Sequence, residues 1–522
     1  MAAREPTPGP NPPARRAPLE GQEIAVVDLG SNSFHVLIAR AGNGDFKVVD
    51  RLREPVRIAA GLDAHDRLTD EVQQAALECL ARFGQRLAQI APDHVRAVGT
   101  DALRRARNGK QFLSRASKAL GHAIEILPGR EEARLIYIGV AHDLPDIPGR
   151  QLVVDIGGGS TECILGEGRE PLSADSLSMG CVGYSRRYFP GGEITRDGFR
   201  AAEIAAGSEL QTLRSRYVNL GWERAVGASG TITATADVLA GMGLARDGIE
   251  AEGLKRLRKE MIECGRSSRL DLPGLSADRR AVYPGGVAIL RAVFEAFELQ
   301  RLQVAGASIR EGVLLDLCGR FHHDDAREHA VRRLAERWGV DREHAARVER
   351  TALALWRATA EDWELGDDLC RRLLTWAARL HELGLAVAYS GHHKHGAYLI
   401  ANGDLPGFSR EERGWVATLV QGSRRSLSKA LFRPLEDDAQ ELADGALDAT
   451  RALRLCVLLR LAVLLNRSRS PAPLPALRCS VAPASFTLLL PADWLLAHPL
   501  TLADLEEEAR VLRDVDLRFA LA

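Results

Sequence analysis

The chain has 522 residues, 46% of them hydrophobic and 27% charged, which suffices for several packed cores and rules out a broadly disordered protein. Its 69 Lys and Arg balance 70 Asp and Glu to a formal net charge of −1, which excludes polyanion binding over the whole surface but leaves room for a local basic channel. Aromatic residues make up only 5%, against nucleic-acid binding by base stacking, and all but seven of the cationic side chains are arginines, whose guanidinium forks around carboxylate and phosphate oxygens.

Residues 1–20 contain six prolines and no apolar core, so they read as a disordered tail and not as a signal peptide. The first folded element is the apolar run Ile24-Ala25-Val26-Val27, which ends in Asp28 and Gly30. A second run, Leu152-Val153-Val154, ends the same way in Asp155 and three glycines. Asp28-Leu29-Gly30-Ser31-Asn32-Ser33 aligns with Asp155-Ile156-Gly157-Gly158-Gly159-Ser160, and each continues into another apolar run. A strand, a polar glycine turn and a strand predict a β-hairpin, and finding it twice predicts a duplicated α/β domain.

Helical spacing fills the intervals over Glu71–Ile90 and Gly198–Val218. From about Arg320 the chain turns to Arg-, Glu- and Ala-rich helical segments at Ala326–Trp338, Arg342–Ala360, Leu369–His381 and Arg410–Leu419. Its most apolar stretch, Leu453–Leu465, is broken by Arg454 and Arg460 and is too short to span a bilayer. Beyond Pro471 two short strands, Leu477–Val481 and Phe486–Leu490, and an acidic helix from Leu502 predict a small α+β domain. Eight scattered cysteines without a CxxC pair fit reduced thiols in the cytoplasm.

Three turns carry the chemistry. A Gly/Ser loop exposes backbone N–H groups that can close around phosphate oxygens, because no Cβ blocks the approach. Ser31, Asn32 and Ser33 form one such loop, Gly157, Gly158, Gly159 and Ser160 a second, and Ser229, Gly230 and Thr231 a third before a helix. Asp155 and Glu162 flank the second loop, so a hairpin there would turn both acids to one cleft, where hard oxygen donors suit Mg²⁺. Glu131-Glu132 opens a further helix, a position where acids are common for electrostatic reasons alone.

These segments, with Gly129-Arg130-Glu131-Glu132-Ala133-Arg134, Ser178-Met179-Gly180-Cys181, Ser308-Ile309-Arg310-Glu311-Gly312 and His381-Glu382-Leu383-Gly384, resemble the exopolyphosphatase/guanosine pentaphosphate phosphatase family in its own order along nearly the whole chain. The resemblance implies an α/β fold: a duplicated actin-like (ribonuclease-H-type) two-lobed core, 21–138 and 139–320, then an all-α HD-like domain, 321–470, and a small α+β C-terminal domain, 471–522. It implies hydrolysis of terminal phosphoanhydrides with Mg²⁺, with K⁺ as a candidate activator. Carried onto this chain, Glu132 is the acid that activates water, Asp155 and Glu162 organise the metal, and Arg104 and Arg279 join the three loops as contacts to phosphate. A homodimer, a cytoplasmic location and a peripheral association with the inner membrane face belong to the same expectation.

The helical domain has a second cluster. Glu382 stands where an HD metal site has Asp, so the domain is read as metal-free. His393, Lys394 and His395, with Arg424 and Arg425, are read as a track for an extended polyanion. That basic segment favours an exopolyphosphatase releasing orthophosphate processively from inorganic polyphosphate. The alternative is hydrolysis of guanosine pentaphosphate to the tetraphosphate, and a third reading is a non-catalytic regulator that binds either compound. No nucleic-acid partner is expected.

Overall fold

The computed structural model describes residues 21–42, 45–63, 65–144, 149–245, 248–321, 325–435 and 447–522, and the predicted tail, 1–20, lies outside them. The chain divides into two compact units, one ending at Arg320 and one running from Phe321 to the end.

The first unit is a fold used twice. β1 (Glu23–Leu29), β2 (Phe34–Gly42), β3 (Asp45–Glu54), β4 (Val95–Gly99) and β5 (Ile124–Ile126) form a sheet in the order β3-β2-β1-β4-β5. In the second half β6 (Arg150–Ile156), β7 (Thr161–Glu167), β8 (Glu170–Leu177), β9 (Arg224–Ala228), β10 (Ile249–Glu250) and β11 (Arg301–Val304) repeat it as β8-β7-β6-β9-β11, with β10 added at the edge. In both sheets the first three strands pair antiparallel and the next two join parallel. That repeated order is the duplicated actin-like, ribonuclease-H-type core.

Alternation along the central strands explains the layering. Ala25, Val27 and Leu29 of β1 pack into the core under the helices Asp70–Leu87 and Gly109–Leu120, while Ile24 and Val26 point the other way. Leu152, Val154 and Ile156 of β6 face the second lobe's own helices, while Val153 joins Ile24 and Val26 in a core between the sheets. The helices Gly129–Asp143 and Ile309–Phe321 fill that shared core, and the first runs through position 138, the lobe boundary expected from the resemblance. Buried Arg96 and Arg134 both pair with Asp316 of the second helix, and Arg134 also with Glu131, which ties the two crossing helices to β4.

The second unit is mainly helical, consistent with the HD resemblance. Its helices start where capping chemistry puts them: Asp325, Asp341, Asp367 and Asp448 each accept a hydrogen bond from the first turn, and Ser409 with Glu412 forms a capping box. The apolar helix Ala449–Leu465 is buried here, with Arg460 paired to Glu508 at 2.5 Å and only 3% exposed. Among the described residues no helix is long and apolar enough to cross a membrane. The segment after 471 folds as the sheet β12 (Arg478–Ala482), β13 (Ser485–Leu489) and β14 (Arg518–Leu521) with the helix Pro499–Arg513. It has no separate core: Phe486 packs 5.5 Å from Trp363, whose indole N–H donates to the Ala482 carbonyl, inside one apolar cluster shared with the helices.

Candidate active site

The two hairpins place the chemistry. In the second lobe β6 and β7 pair so that Asp155 stands directly opposite Glu162 across the turn Gly157–Ser160. In the first lobe the same register sets Asp28 opposite His35 across Gly30–Ser33. The turns meet face to face: a Cβ on Gly158 would lie 2.9 Å from the Ser31 Cβ. Behind them opens a cleft of about 620 Å³ lined by both hairpins, by Ser229–Thr231, by Glu132 and by Ser308 and Arg310.

Four buried carboxylates line this cleft: Asp28, Glu132, Asp155 and Glu162. Burial opposes their charge, and it is the leading cause of every shift. It pushes Asp28 up to about 6 and Glu132 up to about 7, the latter held back by Arg104. Glu162 is raised well above the usual carboxylate range by burial and by the neighbouring charges of Glu132 and Asp155. Asp155 is raised less, because the Ser308 hydroxyl donates to it at 2.8 Å. Glu162 accepts from Ser176 at 2.7 Å, while Asp28 Oδ1 is buried without any hydrogen-bond partner. Desolvated acids with an orphaned oxygen form a donor set suited to a hard divalent cation.

The lining is also cationic. Arg51, Arg53, Arg279 and Arg310 belong to it, and Arg53 is held by Asp278 at 2.8 Å. Arg279 lies flat on the third turn, where a Cβ at Gly230 would fall 1.9 Å from its Nη2. Ser229 beside it takes φ of +75°, a conformation a side chain adopts only under constraint, with its hydroxyl donating to the Ile156 carbonyl at 2.9 Å. Arg310 Nη1 lies 2.9 Å from His35 Nδ1, which must accept, and burial with this cation drives the imidazole pKa down to about 3.

Of the residues expected from sequence, Glu132, Asp155, Glu162, Ser31, Asn32, Ser33, Gly157, Gly158, Ser160, Ser229, Gly230, Thr231 and Arg279 line the cleft. Gly159 does not; its Cα faces Asp101, whose carboxylate a Cβ would strike at 2.0 Å. The Gly157 amide already donates to the Ser160 carbonyl and closes the turn. Arg104 is not a cleft residue either: it donates to Glu132 at 3.1 Å and to the Leu127 carbonyl at 2.7 Å, fixing the acid from behind. Of the adjacent acids only Glu132 reaches the cleft, since Glu131 is spent on buried Arg134. Sequence reasoning missed Asp28, Arg51, Arg53, Ser308 and Arg310. Asp28 was legible through its alignment with Asp155, and Ser308 and Arg310 through the motif Ser308–Gly312; Arg51 and Arg53 had no local signal.

In the helical unit the expected basic track is only partly at the surface. Lys394 and Arg425 are exposed, but His393 is 7% exposed and faces inward, and Arg424 stacks 5.5 Å over the Tyr389 ring.

Comparison with known proteins agrees with this geometry. The profile of the Ppx/GppA phosphatase family matches residues 37–321, and that of its domain III matches residues 326–509. The chain belongs to the Ppx/GppA phosphatase family. It is thus a phosphoanhydride hydrolase. A protein of Photobacterium profundum named guanosine-5'-triphosphate,3'-diphosphate pyrophosphatase is 38% identical over 95% of this chain and 97% of its own length. A Vibrio cholerae protein of the same name is 37% identical over 94% of this chain and 96% of its own. The solved exopolyphosphatase of Cytophaga hutchinsonii is 25% identical and superposes with a TM-score of 0.52 over 57% of this chain and 98% of its own.

Proposed function

We propose that this family member removes the terminal phosphate of guanosine-5'-triphosphate,3'-diphosphate, leaving the tetraphosphate and orthophosphate. The observation that carries this reading is the 38% identity, across both units, to a pyrophosphatase named for that substrate. It replaces exopolyphosphatase as the leading reading, because relatives similar over nearly the whole chain carry that name, while the basic segment that favoured a polymer has His393 buried.

In this reading the oxygen of a water attacks the terminal phosphorus, and the bond from that phosphorus to its bridging oxygen breaks. The electron pair passes to the β-phosphate, and Glu132 takes the water's proton. Phosphoryl transfer asks the protein for position and charge neutralisation more than for covalent chemistry. Arg279 and Arg310 in the cleft lining would meet the equatorial oxygens, and the Ser31–Ser33 and Ser229–Thr231 turns offer polar groups. Asp155 and Glu162, joined by the orphaned Asp28, would hold Mg²⁺, which when bound neutralises charge on the phosphates.

A second reading, exopolyphosphatase, is favoured by the similarity to the Cytophaga hutchinsonii enzyme and by the exposed cations Lys394 and Arg425. Initial rates of orthophosphate release from guanosine pentaphosphate and from long-chain polyphosphate, measured side by side with Mg²⁺, separate the two. The proposal expects the larger kcat/KM on the nucleotide; a preference for the polymer would reverse the assignment.

A further inference from the structure

The helical unit contains a cluster of donors that phosphoanhydride hydrolysis in the cleft leaves unused. His344 lies in the first turn of the helix Arg342–Thr359, His381 ends the helix Asp368–Leu380, and Glu382 follows it. One ligand atom from each comes within 4.8 Å of the other two. Both imidazoles are nearly inaccessible, His344 at 3% and His381 at 2% exposure, with ring centres 5.6 Å apart.

The hydrogen bonding shows what is missing. His381 Nδ1 lies 2.8 Å from the Ala378 carbonyl, which can only accept, so the ring proton sits on Nδ1 and the lone pair on Nε2. That Nε2 is buried without a partner. His344 Nε2 lies 3.8 Å from Glu382 Oε1, too far for a hydrogen bond, and its Nδ1 is also buried without a partner. Buried polar atoms in a folded protein are nearly always satisfied, so two orphaned imidazoles side by side call for a missing partner. A histidine that donates one ring nitrogen to a backbone carbonyl and leaves the other bare within a cluster of donors has the arrangement by which metal-binding histidines are oriented. Glu382 is itself fixed by Arg469 at 2.5 Å, the kind of outer hydrogen bond that ligating carboxylates carry.

We propose that His344, His381 and Glu382 bind a divalent transition-metal ion, with zinc the best match to two imidazoles and one carboxylate. Nitrogen donors set this site apart from the all-oxygen cleft, where Mg²⁺ is the fitting ion. Three protein ligands leave a fourth position for water. Glu382 in place of Asp therefore does not disqualify the cluster, because the fold brings in His344 from a helix that the pattern around His381 does not include. The site stands independently of which phosphoanhydride the cleft hydrolyses.

The test uses the full-length protein, stripped with a chelator and re-equilibrated with Zn²⁺ alone. The expected result is one tightly held zinc per chain, with an X-ray absorption spectrum showing imidazole scattering. His344→Gln and Glu382→Gln should each weaken zinc binding by at least ~10-fold with unchanged far-ultraviolet circular dichroism, while Asp155→Asn keeps the zinc. Absence of bound zinc in the wild-type protein, an oxygen-only coordination shell, or equal affinity in the folded His344→Gln and Glu382→Gln variants would overturn the proposal.

Discussion

Glu132 differs from its neighbour Glu131 in where its carboxylate points, and that difference is what suits it to the proposed role of base. Glu131 is neutralised by Arg134 inside the core, whereas Glu132 reaches the cleft with its pKa pushed up to about 7 by burial. A base must be deprotonated to act, so kcat/KM should fall on an acidic limb at or below about pH 7, a bound cation drawing that limb downwards. The same burial sets a stability trend. A carboxylate whose pKa is higher folded than unfolded favours the fold below its unfolded pKa and loses that benefit as pH rises through the folded value. For Asp28, raised to about 6, and Glu132, raised to about 7, the melting temperature of ion-stripped protein should fall between about pH 5 and about pH 8. Mg²⁺ should restore it most at the alkaline end; a flat, Mg²⁺-insensitive profile measured by calorimetry would exclude the carboxylates as the cause. At this scale the sequence revealed Glu132, Asp155 and Glu162 through family motifs, and Asp28 was in view as the twin of Asp155. Arg51 and Arg53 stayed hidden among 69 cationic residues, because only tertiary packing decides which guanidiniums face the cleft.

Among the elements, the hairpins were the most legible, since an apolar run, an acid and a glycine turn repeated twice leave little choice of topology. Helix positions followed from apolar spacing and composition, and they agree with the structure to within a few residues. The duplicated hairpin nevertheless diverged: Glu162 opposite Asp155 became His35 opposite Asp28, so one lobe supplies paired acids and the other an acid beside a neutral imidazole. The third turn depends on an absent side chain. Gly230→Ala would set a Cβ 1.9 Å from Arg279 Nη2, and displacing that guanidinium from the phosphate should raise KM several-fold more than it lowers kcat. Steady-state kinetics on guanosine pentaphosphate checks this. An unchanged KM would place Arg279 away from the bound substrate.

For the whole molecule, the lobes of the first unit are coupled through the core between their sheets, and its electrostatic pin is Asp316, which neutralises both Arg96 and Arg134. Asp316→Asn leaves two buried guanidiniums undercompensated and should cost about 3–5 kcal/mol in denaturant unfolding. A loss within the range of an ordinary surface substitution would mean that the pin does not hold the lobes. Nothing in the sequence linked Arg96 and Arg134 to Asp316, because the three lie far apart in the chain. Nor did the change of composition beyond 471 reveal that the last strands share a core with the helices through Phe486 and Trp363. The near-neutral net charge does not exclude a phosphate ligand, because buried acids and arginines share the lining of one cleft. The central claim is that this cleft hydrolyses a terminal phosphoanhydride with Glu132 as base. It is tested most directly by single-turnover hydrolysis of guanosine pentaphosphate by the wild-type protein and by Glu132→Gln. The account predicts tetraphosphate and orthophosphate from the wild type and a loss of ~10²–10⁴-fold in the variant with binding retained. Near-normal turnover by a folded Glu132→Gln protein would contradict it.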